Sequence, residues 1–124
     1  MDNSVLACRQ GGVVILLAEC EEGSGSKVLE ETCKRLKTAD AIEAELREHF
    51  VIGANKAYAV TRLTKKAHFI LVTGLDKKMA QEMLFTDAVG SVEEALAEAE
   101  KIVSKDYSVI LMPTGSLTVP LLEE

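Results

Sequence analysis

Gly12-Val13-Val14-Ile15-Leu16-Leu17-Ala18-Glu19-Cys20 decides the fold. Six apolar residues follow one another from Val13 to Ala18 without a charge, and acids and glycines end the run at Glu21, Glu22, Gly23 and Gly25. A strand solvated on one face would alternate apolar with polar residues. A continuous apolar run rich in β-branched residues marks a strand buried on both faces, the habit of parallel sheets.

Working outward, residues 68–73 and 108–112 repeat the type, and residues 85–89 give a weaker fourth candidate. Amphipathic segments fill the gaps. Residues 28–36, 42–50, 55–66 and 92–103 carry apolar positions at spacings of three and four, with Val60, Leu63 and Ala67 on one face of the third. Asp40 with Glu43, and Ser91 with Glu94, have the spacing of a capping box, and Asp76 stands where it would cap a short fifth helix. Residues 2–10 followed by Gly11-Gly12 read as the last turns of a helix with a glycine stop. Strands alternating with helices predict an α/β domain in three layers, Rossmann-like, with a mostly parallel sheet of about four strands. No repeat, low-complexity tract or linker interrupts residues 1–124, which are therefore expected to be a single α/β domain.

Composition narrows the function. The chain has 124 residues, 48% hydrophobic and 27% charged, which suits one packed domain rather than a disordered segment. Its net charge of −6 argues against nucleic acid and against an anionic membrane as partners, since both need clustered Lys and Arg. The apolar runs are too short to cross a bilayer and no signal peptide opens the chain, so a cytoplasmic location is expected. Cys8, Cys20 and Cys33 form no CxxC pair and are expected to be free thiols. His49 and His68 are too far apart for a local metal motif, and no metal ligands are assigned.

Ligands of open parallel sheets collect beyond the carboxyl ends of the strands, which leaves three segments to weigh. The first, residues 19–27, includes Glu19, Cys20, Gly23 and Gly25. It lacks the third glycine of a dinucleotide fingerprint and the Gly-Lys-Ser/Thr of a P-loop, and three carboxylates would repel a phosphate. It reads either as a plain strand-to-helix turn or as a loop facing a ligand or a neighbouring domain. Cys20 has no histidine or other base at a recognisable spacing, so no nucleophile is assigned.

The second segment surrounds Asn55, Lys56 and Tyr58. Residues 50–75 contain no Asp or Glu but do contain Lys56, Arg62, Lys65 and Lys66, a cationic window in an acidic chain. Gly53 to Lys56 fall at a helix start, where free N–H groups and the helix dipole favour an anion, and a small carboxylate fits that description. The alternative is a solvated helix face. The third segment, residues 112–120 with Thr114 and Gly115, is a hydroxyl-rich turn that either donates hydrogen bonds to a ligand or caps the sheet.

Taken in order, Gly11-Gly12-Val13-Val14-Ile15-Leu16-Leu17-Ala18-Glu19-Cys20-Glu21-Glu22-Gly23-Ser24-Gly25, then Ile52 to Leu63, then Met112 to Pro120, the sequence resembles the C-terminal domain of the nickel-dependent lactate racemase family. The resemblance spans nearly the whole chain. It implies a fragment of a larger two-domain protein acting on a small 2-hydroxy acid such as lactate, by racemisation or epimerisation. In that family a nickel pincer nucleotide, its histidine ligands and its tethering lysine lie in the N-terminal domain, so the resemblance implies no cofactor and no catalytic residue here, and a chain inactive by itself. The missing N-terminal cofactor-binding domain is the implied partner. Asn55, Lys56, Tyr58, Thr114 and Gly115 become candidate substrate contacts, and Glu19, Cys20, Gly23 and Gly25 an interdomain or ligand-edge loop. The competing reading is a freestanding Rossmann-like module that binds a nucleotide or a small anionic metabolite.

Overall fold

The apolar runs at residues 12–20 and 68–73 hold adjacent parallel strands, the second central and the first at one edge of the sheet. A computed structural model describes residues 1–50, 52–84 and 87–121, with the side chain of residue 84 outside the description. In chain order the elements are α1 (Asp2–Leu6), β1 (Val13–Leu17), α2 (Lys27–Leu36), α3 (Ala39–Glu48), α4 (Ala54–Thr64), β2 (His68–Val72), α5 (Lys77–Leu84), β3 (Asp87–Val89) and α6 (Val92–Ile102). The sheet order is β1-β2-β3, all parallel, with Val13 to Leu17 registered on His68 to Val72, and Ile70 to Val72 on Asp87 to Val89.

Two apolar faces explain the three layers. Phe69 and Leu71 of β2, with Val14 and Leu16 of β1, pack on Val5 of α1, on Leu63 and Ala67 at the end of α4, and on Ala80 of α5. Ile70, with Val13, Ile15, Val72 and Val89, packs on Ala95 and Ala99 of α6. Helices therefore lie on both faces of the sheet, as the continuous apolar runs of β1 and β2 predict. A further cluster, Leu29, Cys33, Ile42 and Ala57, joins α2, α3 and α4 into one helical layer.

The caps follow local chemistry. Ser26 accepts from the N–H of Leu29 at 3.3 Å, Asp76 from that of Met79 at 3.0 Å and Ser91 from that of Glu94 at 3.2 Å. The Glu94 carboxylate accepts in return from Gly90 N–H at 3.0 Å, one residue earlier than a strict capping box requires. At α3 the expectation was misplaced: Thr38, not Asp40, is the cap and accepts from Ala41 N–H at 3.2 Å. Asp40 instead lies in the first helical turn, where its charge suits the helix dipole. Gly11 takes the positive φ of +73° expected of a glycine stop.

The α/β class and three-layer architecture are as expected; the strand count is not. The sheet has three strands among the described residues, and residues 108–112 are not one of them. They run without regular pairing, and Val109, Ile110 and Leu111 are exposed. A β-branched apolar run favours extended backbone, but a strand also needs a neighbouring edge to bond to, and the run itself does not encode that. Of the fourth candidate, residues 85–89, Asp87–Val89 pairs as β3 and residues 85 and 86 lie outside the described residues.

Candidate functional site

The carboxyl edge of the sheet is held together by one backbone carbonyl. After β1, Ala18 N–H continues the ladder to Val72 O at 3.0 Å, and Glu19 O then accepts both the Thr73 hydroxyl at 2.9 Å and Gly74 N–H at 3.3 Å. Thr73 Oγ1 also accepts from Leu75 N–H at 3.2 Å. The loops leaving β1 and β2 are thereby fastened to each other. The Glu19 carboxylate lies along Gly74 so closely that a Cβ there would fall 2.5 Å from Oε1. Thr73 and Gly74 thus belong to this edge, although the sequence reading passed over them. Their signal was the Thr-Gly pair directly behind the second apolar run.

The β1–α2 loop is a pair of tight turns. Cys20 has a positive φ of 59° and its carbonyl accepts from Gly23 N–H at 2.9 Å; Gly23 and Gly25 take φ values of +73° and +67°. Ser24 donates to the Glu30 carboxylate at 2.9 Å and accepts from Ser26 N–H at 3.1 Å. Much of the loop's polar capacity is spent on its own turns and on capping α2. This ties the loop to α2 as a shaped edge and does not make a phosphate cradle.

The cationic window meets this edge at the start of α4. Gly53, at φ +101°, packs against Val28 in the first turn of α2, which sets the start of α4 beside the end of the β1–α2 loop. The Asn55 side chain accepts from Gly53 N–H at 3.1 Å, and Lys56 N–H donates to Gly53 O at 3.1 Å. Lys56 is exposed and, among the described residues, forms no ion pair, whereas Lys65 pairs with Asp40 at 3.1 Å. No acid stands in the first turn of α4. Tyr58 lies differently: its half-buried ring packs against the Leu29, Cys33, Ile42 and Ala57 cluster, so the ring belongs to the helical layer. Three large apolar side chains, Leu17, Phe50 and Ile52, stand exposed where β1 ends and just ahead of α4.

Thr114 and Gly115 are held elsewhere. The Asn3 amide donates to Gly115 O at 3.2 Å and Ser116 O at 3.3 Å, and the Thr118 hydroxyl bonds Thr114 O at 3.0 Å. The hydroxyl-rich turn is fastened to α1, and among the described residues its bonds do not reach α4 or the β1–α2 loop. The structure thus sets Gly53, at the start of α4, against Val28 just after the β1–α2 loop, and holds the turn of Thr114 and Gly115 on Asn3 of α1.

Two of the three thiols are shielded by burial. Cys33 is buried, its thiol donating to Met83 O at 3.0 Å, and burial pushes its pKa up from 9.0 to about 11. Burial also raises Cys8, against the opposing pull of Lys66 and Arg9. Among the described residues no three His, Cys, Asp or Glu side chains converge as a metal site, and no helix is long and apolar enough to cross a membrane.

Residues 1–119 match the family described as the lactate racemase C-terminal domain. A curated relative, the lactate racemase of Thermoanaerobacterium thermosaccharolyticum, is 26% identical over 113 residues, covering 88% of this chain and 26% of the relative. The solved structure of the lactate racemase apoprotein from the same organism superimposes with a TM-score of 0.85 at 27% identity, over 99% of this chain and 30% of that one. The chain thus spans about a quarter of the length of the curated relative it matches.

Proposed function

Because the chain belongs to the lactate racemase C-terminal domain family, we propose that it is the substrate-side half of a lactate racemase-like enzyme for a small 2-hydroxy acid, inactive alone. The observation that carries the reading is Lys56: an exposed cation without an ion pair among the described residues, in the first turn of α4, in a chain of net charge −6. Lys56 N–H is taken by Gly53 O, but the N–H groups of Ala54 and Asn55 ahead of it have no backbone acceptor among the described residues and add their dipole to the same place, so a carboxylate arriving there is met by charge and by hydrogen-bond donors. Asn55 fixes the turn through Gly53, and the exposed Leu17, Phe50 and Ile52 supply apolar surface that would exclude water when a second domain closes on this edge.

The nickel pincer nucleotide implied by the family resemblance does not fit this chain's own donors, since no cluster of metal-ligating side chains forms among the described residues. In this reading it sits on an N-terminal domain outside the chain, and no chemical step is assigned to residues here. Their work is to bind and orient the hydroxy acid and to close the cleft.

The test is Lys56→Ala in the enzyme assembled with its N-terminal domain, with lactate racemisation followed by chiral analysis. Loss of one charged contact predicts at least about a tenfold fall in kcat/KM. Lys56 is exposed, so the fold is unaffected. Unchanged kinetics, or racemisation by the isolated chain supplied with cofactor, would sink the assignment.

A further inference from the structure

Besides Leu17, Phe50 and Ile52 at the carboxyl edge, a second and larger group of apolar side chains stands without cover. Val109, Ile110, Leu111, Leu117, Val119 and Leu121 are each between 60% and 86% exposed. Single exposed leucines are ordinary on a soluble surface; six crowded into residues 109–121 are not. The run is also held in place. Besides the two bonds from Asn3, Leu117 N–H donates to Thr114 O at 2.8 Å and Gly115 N–H to Met112 O at 3.1 Å. Leu6 and Ala7 of α1 form one wall of a groove whose other wall includes Ile110, Leu111, Pro120 and Leu121, and no charged residue lines it.

We propose that this face, α1 together with residues 109–121, is the permanent seat of the domain on the N-terminal part of a lactate racemase-like enzyme, while the edge bearing Lys56 is the working face. The proposal rests on the reading of the chain as half an enzyme. Two observations favour that occupant. The related apoprotein superimposes on 99% of this chain, while this chain accounts for only 30% of it, so the same backbone occurs inside a far longer polypeptide that must meet the domain somewhere. The groove is lined without a charged residue, as the centres of permanent interfaces are, whereas the carboxyl edge mixes its exposed Leu17, Phe50 and Ile52 with charge and glycine turns.

The test isolates the chain from its own cells in whatever polypeptide or complex carries it, and compares amide hydrogen exchange there with that of the 124-residue chain alone. Residues 109–121 are expected to exchange at least about tenfold more slowly in the assembly. Ile110→Asp combined with Leu111→Asp should abolish the difference without moving the unfolding midpoint of the isolated chain, because both side chains are exposed. Equal exchange in the two samples overturns the proposal, as does recovery of the chain from cells as a lone monomer. Slow exchange that appears in the isolated chain as its concentration rises assigns the face to a second copy and overturns it too. Lys56 does not line the groove, so unchanged kinetics of Lys56→Ala would remove the substrate reading while leaving this result standing.

Discussion

Gly53→Ala tests whether the start of α4, and with it the position of Lys56, is set by backbone conformation. Gly53 sits at φ +101° and ψ −31°, outside the small left-handed basin that other residues can enter. Holding an alanine in so sparse a region costs about 1–3 kcal/mol. A Cβ on Gly53 would also stand 3.2 Å from both Cβ and Cγ1 of Val28, tighter than ordinary contact, and such overpacking adds on the order of 1 kcal/mol. The sum is a loss of about 2–4 kcal/mol, measured by urea unfolding of the chain. Gly25→Ala is the internal control: at φ +67°, with nothing within 4 Å of the added Cβ, it should cost only about 1 kcal/mol, for the left-handed backbone alone. Val28→Ala in the Gly53→Ala background removes the Cγ1 contact but leaves Cβ, so it should restore part of the difference, some tenths to about 1 kcal/mol of coupling. If Gly53→Ala and Gly25→Ala cost the same, Gly53 is not pinned by its conformation and by Val28, and the account of how α4 is aimed is wrong.

Two further outcomes follow from the core and from pH. Ile70, fully buried at the centre of β2, packs on the α6 side of the sheet; Ile70→Ala should cost about 2–5 kcal/mol in denaturant unfolding, and a loss below about 1 kcal/mol would contradict the packing described. Cys33 has a folded-state pKa above its unfolded one, so the folded chain holds the proton longer; its contribution is level below pH 9 and is lost as pH rises from 9.0 towards about 11. A Cys33→Ser variant should show a shallower loss of stability than the parent across that window in urea titrations. Identical slopes would show that the thiol is not shielded.

Much of this protein is legible in its residues taken in order. The unbroken Val13 to Ala18 run and its repeat at residues 68–73 require two-faced burial, and that forces parallel strands with helices above and below. Asp76 and Ser91 announce helix starts because a carboxylate or hydroxyl there reaches an N–H within the same turn. The acid-free stretch around Lys56 is equally local, since it depends only on which charges are absent. These features are fixed by bonds or periodicities spanning a few residues.

Other features were decided only by folding. Residues 108–112 have the composition of β1 yet stay unpaired, because pairing depends on which sheet edge the chain can reach. Tyr58 stands two residues from Lys56, but helical rotation turns one into the α2–α3–α4 cluster and leaves the other in solvent. Thr73 and Gly74 join the carboxyl edge of the sheet through Glu19, 54 residues away from Thr73 in sequence. Thr114 and Gly115 leave it because Asn3, at the opposite end of the chain, holds their turn against α1. Sequence determined where the helices and the β1 and β2 strands lie and where charge is missing; the tertiary structure alone decided which apolar runs pair and which segments share an edge, since that choice is made by contacts between residues far apart in the chain.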